Sequence, residues 1–268
     1  MKALLGDYPV TRQFKQRSSL EFADVKVPNI AFKRVVRDLE FDVAELALMT
    51  FLLAKAYGKP YRLLPAVVTA RFQHATLAYN PERGPLSPDQ LGGKMVGMRS
   101  YSVTTATWVR SILADDYGVD LGKVRWVTLE DPHVAEFRDP PNATRASPGT
   151  DLTAMLVAGE IDAAVLAEPP KDGPLRTLIS DPAAAASAWK AKHRAIQINH
   201  MVTVKSTVSD SAAQDIYAEL AKSREAAGSP EMNPFGREEN RRNLEVAIEC
   251  VYRQRMIPRR FTVEELFR

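Results

Sequence analysis

The stretch KMVGMRSYSVTTATWVRSIL, residues 94–113, decides the fold class. Met95-Val96-Gly97-Met98 reads as a short buried strand. Residues 99–103 form a polar turn, and Thr104 or Thr105 is placed to cap a helix. The helix would carry Ala106, Val109, Ile112 and Leu113 on one face. A strand feeding a helix through a polar turn is one α/β unit, and its turn offers helix-terminal N–H groups at a positive dipole end. Beside Arg99, those groups predict a carboxylate pocket. Taken by itself, an ordinary strand–helix connection is the simpler reading.

The same rhythm extends on both sides. Downstream, residues 115–122 are a loop and 124–129 a strand. Residues 130–149 hold four prolines without clear periodicity, a long loop of the kind that is often functional; its His133 is expected to be exposed. Asp151 should cap a helix closed by Gly159, followed by a buried strand at 161–165 and an alanine-rich helix at 181–191. Upstream, Pro81, Gly84, Pro85 and Pro88 mark a turn-rich entry into a second lobe. Residues 72–79, FQHATLAY, read as a strand carrying His74 with the polar neighbours Arg71 and Gln73. Residues 61–68 read as another strand.

Residues 2–5 form a first strand, which leaves Asp7 and Tyr8 at its carboxyl end, where ligands bind in open α/β sheets. Asp7 reads equally well as a turn residue. Residues 9–29 give a mixed signal with a short strand near 25–27. A helix at 31–39 precedes a strand at 41–46 that carries Asp42 and runs directly into an apolar helix ending at Gly58-Lys59-Pro60. Glu45 then falls at a helix N-terminus, as a dipole-stabilising carboxylate or as an acid or base. Residues 195–205 alternate like a strand and carry His200. An amphipathic helix at 209–227, a further helix at 237–255 and a terminal turn at 262–267 complete the chain. Residues 1–78 and 200–268 therefore make lobe one and 79–199 lobe two, each a mixed sheet flanked by helices.

Composition narrows the function classes. The 268 residues are 45% hydrophobic and 26% charged, with a net charge of +3 from dispersed basic residues. That balance suits a globular chain and offers no nucleic-acid stripe; the pairs Arg241-Arg242 and Arg259-Arg260 read as solvated surface. Cys250, the single cysteine, is expected to be a buried thiol. The apolar run Ala3-Leu4-Leu5 is too short for a secretory core and no later run has the length of a membrane span, so a cytoplasmic location without membrane partners is expected. No metal-ligand spacing, phosphate loop or dinucleotide fingerprint stands out, so no cofactor and no metal are expected.

Several stretches together carry a resemblance. LGDYPVTR (5–12), FDVAEL (41–46), FQHATLAYN (72–80), SYSVTTATWVRSIL (100–113), DDYGV (115–119), GEIDAAV (159–165) and IPRRFTVEELF (257–267) resemble the 4,5-dihydroxyphthalate decarboxylase family. The resemblance covers nearly the whole chain and is weakest over 130–150. It implies a two-lobed type 2 periplasmic-binding-protein-like α/β fold with a ligand cleft between lobes, and cofactor-independent decarboxylation of a hydroxylated aromatic acid there. Gln73 stands where the family motif has an arginine before its histidine, with Arg71 two residues earlier. That departure makes a monocarboxylate or a differently substituted catechol acid an alternative to a dicarboxylate.

Decarboxylation of an electron-rich ring requires an anion clamp, a base for the phenol and an acid for the ring carbon. The expected clamp is Arg99 with Ser100, Tyr101, Thr104 and Thr105. His74 and His200 are the expected acid and base, because imidazole titrates near neutral pH, with Glu45 assisting. Asp7, Tyr8, Asp42 and Arg71 complete the expected binding set. The expected partner is a small aromatic carboxylate, in a chain that can form a homo-oligomer. Two other readings use the same scaffold: an aromatic-acid solute-binding protein, and an enzyme resembling those of the menaquinone pathway.

Overall fold

The computed structural model describes residues 1–171 and 173–268. Its strands are, in chain order, Lys2–Leu4 (β1), Glu21–Phe22 (β2), Val43–Ala47 (β3), Tyr61–Ala70 (β4), Leu77–Tyr79 (β5), Met95–Met98 (β6), Arg125–Thr128 (β7), Ala143–Arg145 (β8), Ala163–Val165 (β9), Arg176–Thr177 (β10) and Ile198–Lys205 (β11). The α-helices are Pro9–Arg17 (α1), Phe32–Val36 (α2), Leu48–Ala56 (α3), Thr104–Tyr117 (α4), Leu152–Ala158 (α5), Pro182–His193 (α6), Asp210–Ala226 (α7) and Arg237–Arg253 (α8). The chain divides into two compact units, Met1–Arg71 with Ala195–Arg268, and Phe72–Arg194. These boundaries put His74 in the second unit and His200 in the first.

The first unit holds a mixed sheet in the order β2-β1-β3-β11-β4. β1 runs parallel to β2 and β3, while β11 runs antiparallel to β3 and β4. Side chains alternate across a strand, so Val43 and Glu45 share a face of β3, as Val202 and Val204 share one of β11. Val43, Val202 and Val204 pack there with Phe14 of α1 and Ile216 and Leu220 of α7. α3 packs against β3, β4 and β11, and against α8. Cys250 of α8 is a buried thiol.

The second unit is a six-stranded sheet ordered β10-β5-β9-β6-β7-β8. β9, β6, β7 and β8 run parallel to one another, whereas β5 pairs antiparallel with β9 and β10. Gly97 of β6 is required by close packing: a Cβ there would lie 2.6 Å from Ile161 and 2.7 Å from Leu152. The strand–turn–helix expected at 94–113 is present as β6 and α4, with Ala106, Val109, Ile112 and Leu113 all buried.

Local expectations change at several points. Residues 9–17 form α1 rather than mixed structure, with Pro9 at its first position, where a missing N–H costs nothing. The short strand lies at Glu21–Phe22 instead of 25–27. His74–Thr76 is a 3₁₀ turn, which confines the strand expected over 72–79 to Leu77–Tyr79. Residues 130–149 contain β8, paired with β7. Both arginine pairs are on the surface and engaged: Arg241 with Glu238 and Glu264, Arg242 with Glu245, Arg259 with Glu265, and Arg260 with Glu249. Among the described residues no helix is long and apolar enough to cross a membrane.

Candidate functional site

In the first unit, three of the expected residues meet at one carboxylate. Glu45 belongs to β3, two residues before β3 ends, and not to a helix N-terminus. β11 pairs with β3 so that His200 lies opposite Ala47 and Val202 opposite Glu45. His200 is thus the diagonal neighbour of Glu45 on one face, within reach of long side chains. The register of β11 against β4 also shifts on both sides of His200, an irregularity that re-aims a side chain.

His200 Nδ1 lies 2.8 Å from Glu45 Oε1. A carboxylate only accepts, so Nδ1 carries the proton of this contact and Nε2 is left for another partner. The Tyr8 hydroxyl donates to the same Oε1 at 2.8 Å, and the Gly6 N–H donates to Oε2 at 2.6 Å. Glu45 is fully buried. An apolar layer tolerates a carboxylate when donors surround it, and three do so here. Burial, then the charge of Glu45 and the hydrogen bond to it, push the Tyr8 phenol above its ordinary range, so Tyr8 stays a neutral donor. Gly6 makes this approach feasible, because a Cβ would lie 2.5 Å from Cζ of the Tyr8 ring. The Phe32 ring meets the His200 ring edge-on, centroids 5.1 Å apart.

Other expected residues of this unit are committed elsewhere. Asp7 is exposed and pairs with Arg12 at 3.1 Å. Asp42 accepts the Lys2 N–H at 2.9 Å and lies 3.6 Å from Lys205, tying strand ends together. The Arg71 backbone N–H donates to the Asn199 side chain at 3.1 Å, beside the start of β11.

The second unit holds the residues expected to bind an anion. Arg99 and Ser100 follow β6, and α4 opens at Thr104 with Val103 as its N-cap, so neither Thr104 nor Thr105 is the cap and no side chain caps the helix. Thr104 and Thr105 lie in the first turn instead. Tyr101 is packed inward: the Arg110 guanidinium lies 3.7 Å from its ring centroid, and Phe137 stacks on it at 6.5 Å. Tyr101 therefore braces the turn from within. The Ser100 hydroxyl is buried without a hydrogen-bond partner.

His133, expected to be exposed, is buried at 3%. Its Nε2 lies 3.3 Å from Arg99 Nη2. The cause is backbone: the Arg99 carbonyl accepts the N–H groups of Leu129 and Glu130 at 3.0 and 2.7 Å and draws the start of the proline-rich segment against the turn. A histidine soon after a strand and close to an acidic, proline-bearing turn was the available sequence signal.

His74 makes no hydrogen bond to Arg99 or His133. It is buried in the second unit with neither ring nitrogen hydrogen-bonded, its ring 6.4 Å from that of Phe72. Burial pushes its pKa down to about 4, against a smaller opposing pull from Asp116. At neutral pH it is uncharged, so a protonated imidazole is not what it offers. Among the described residues no three His, Cys, Asp or Glu side chains gather as a metal-ligand group.

No family model matches the chain. A protein named 4,5-dihydroxyphthalate decarboxylase from Comamonas testosteroni is 29% identical over 196 residues, covering 68% of this chain and 59% of the relative. One of the same name from Pseudomonas putida is 30% identical over 189 residues, covering 66% of this chain and 72% of the relative. The chain thus spans about three-fifths of the length of the Comamonas protein. Among solved structures, the alkanesulfonate-binding protein SsuA of Xanthomonas axonopodis pv. citri aligns over 99% of this chain and 96% of its own, at 14% identity and a TM-score of 0.57. SsuA of Escherichia coli gives a TM-score of 0.58 at 11% identity over 100% of this chain and 91% of its own. A ligand-binding component of an ABC-type import system from Staphylococcus aureus gives 0.59 at 10% identity over 100% and 96%. These likenesses show the fold: α/β, of the type 2 periplasmic-binding-protein-like kind.

Proposed function

The chain belongs to the 4,5-dihydroxyphthalate decarboxylase family, and from that membership we propose that it is a carboxy-lyase acting on a hydroxylated aromatic carboxylate. The observation that carries the reading is the His200–Glu45 contact of 2.8 Å, which fixes one imidazole face and leaves the other for a substrate. In the proposed reaction His200 delivers a proton from Nε2 to the ring carbon that bears the carboxylate. The bond to that carboxylate then breaks, its electron pair returns to the ring, CO₂ leaves, and the imidazole regains a proton from water. A ring hydroxyl supplies electrons while the carbon is protonated.

Glu45 acts through His200: it holds the ring orientation and balances the charge of the imidazolium before transfer. Tyr8 and Gly6 hold Glu45. Because the solved neighbours are named as binding proteins, binding without chemistry is the competing reading, and CO₂ release separates the two.

The test is CO₂ release from 4,5-dihydroxyphthalate and related catechol carboxylates. His200→Ala should lower kcat by about 100-fold or more, the usual contribution of a general acid, with the melting temperature little changed. Glu45→Gln should lower kcat while preserving substrate binding. Turnover within a few-fold of wild type for both variants would remove His200 from the mechanism.

A further inference from the structure

A cavity of about 830 Å³ opens in the first unit, on residues that the proposed chemistry does not use. It is formed by the start of β4, the chain between β11 and α7 with the first turns of that helix, the start of α8, and Phe267. All of these segments belong to the first unit, so the cavity is complete within it. β11 carries His200 near one end, and the cavity begins past the other end, at Ser206. Six residues of extended chain span about 20 Å. The cavity is therefore separate from the Tyr8–Glu45–His200 group.

Its lining combines buried apolar side chains with charged ones. Leu64, Val208 and Phe267 are 5%, 8% and 5% exposed. Organic ligands occupy cavities of this kind, roughly 300–1,000 Å³ with apolar walls and a few placed polar groups. The acidic residue of the lining, Asp210, lies 2.8 Å from Arg62, which also donates to the Val208 carbonyl at 3.1 Å. Those two charges offset each other. Arg237 is different. Arg241, Arg242, Arg259 and Arg260 each meet a carboxylate, whereas Arg237 has none among the described residues. Its guanidinium lies over the Phe267 ring, 4.9 Å from the centroid. A guanidinium held against a ring keeps its in-plane N–H groups, and their fork matches a carboxylate. Tyr217 adds a hydroxyl with no hydrogen-bond partner among the described residues. Burial, then the charge of Glu239, push its pKa up against a smaller opposing pull from Arg224, so it remains a donor.

We propose that this cavity is a second small-molecule site, which binds a monocarboxylate with an apolar body. The carboxylate sits on Arg237 and the Tyr217 hydroxyl, and the body lies against Leu64, Val208 and Phe267. The charge and the apolar surface each select half of such a ligand. The site is independent of the carboxy-lyase reading and of any residue in it.

Octanoate is the probe, since it has one carboxylate and an apolar chain but no ring to decarboxylate. Affinities are measured by calorimetry on the full chain. Wild type should bind octanoate about tenfold or more tighter than 1-octanol, the usual worth of a charge-assisted hydrogen bond, and the same margin should hold over inorganic phosphate, which lacks the chain. Arg237→Ser should weaken octanoate by about the same factor, and Arg237→Lys, which keeps the charge without the fork, should fall between. His200→Ala should bind octanoate as wild type does. The proposal is overturned if wild type does not bind octanoate, if 1-octanol or phosphate binds as well, or if Arg237→Ser leaves the affinity unchanged. Loss of octanoate binding in His200→Ala overturns it too, by placing the ligand beside Glu45 instead. None of these results touches CO₂ release from 4,5-dihydroxyphthalate, so the carboxy-lyase reading stands or falls separately.

Discussion

At the scale of single residues, His74 and His200 show how surroundings assign different roles to one side chain. His200 has a carboxylate at Nδ1. His74 has no partner on either nitrogen, and its pKa sits at about 4 because burial opposes the charged form. The unfolded chain, with an ordinary imidazole near 6.5, binds more protons than the folded chain between pH 6.5 and 4. The stability tied to neutral His74 is therefore complete above pH 6.5 and lost as pH falls towards 4, by about 3 kcal/mol over that window. His74→Leu removes this dependence and two buried polar atoms without partners. Its melting temperature should at least equal that of wild type at pH 7 and exceed it at pH 5. Thermal denaturation at the two pH values checks this, and equal acid sensitivity in both proteins would show that His74 titrates normally.

At the scale of elements, the helix starts differ in how they are satisfied. Asp181 accepts the Ala184 N–H at 2.9 Å at the start of α6, and Asp151 does the same for Ala154 in α5. α4 opens on Val103 with no side-chain cap. Asp181→Ala should cost about 1 kcal/mol, whereas Thr105→Ala should cost under about 0.5 kcal/mol, as a residue inside the first turn rather than a cap. Urea titrations of the two variants measure the difference. The cap at Asp151 was legible because an Asx side chain bonds its own helix start, a local interaction. β6 and α4 were legible for a similar reason, since apolar spacing reports local burial. Glu45 and His133 were placed wrongly because nonlocal contacts decided them, and His74 because a short 3₁₀ turn interrupts the apolar pattern of a strand. Pairing with β11 keeps Glu45 in an extended strand, the Gln73 carbonyl accepting the Thr76 N–H closes the turn at His74, and the Arg99 carbonyl gathers the segment holding His133. Tyr8, Glu45 and His200 could be proposed singly from strand ends and residue types. Their meeting at one carboxylate depends on the β3–β11 register, which no window of sequence contains.

At the scale of the whole molecule, the order of strands sets which parts can fold alone. β11 lies between β3 and β4, although more than a hundred residues of the other unit intervene in sequence between β4 and β11. Without residues 195–268, β4 has no sheet neighbour among the described strands, and the core loses Val202, Val204, Ile216 and Leu220. Four buried aliphatic side chains at about 2 kcal/mol each amount to roughly 8 kcal/mol, comparable to the whole stability of a small domain. The second unit is contiguous and keeps all six of its strands within Phe72–Arg194. A fragment of residues 72–194 should therefore melt cooperatively by circular dichroism, whereas residues 1–71 should show no transition. Supplying residues 195–268 to the latter should restore one, because β11 then closes the gap between β3 and β4 and returns His200 to Glu45. A cooperative transition in residues 1–71 alone would mean that β1 and β3 form a stable sheet without β11. The Tyr8–Glu45 half of the site would then be assembled before His200 joins it, rather than by the strand that carries His200.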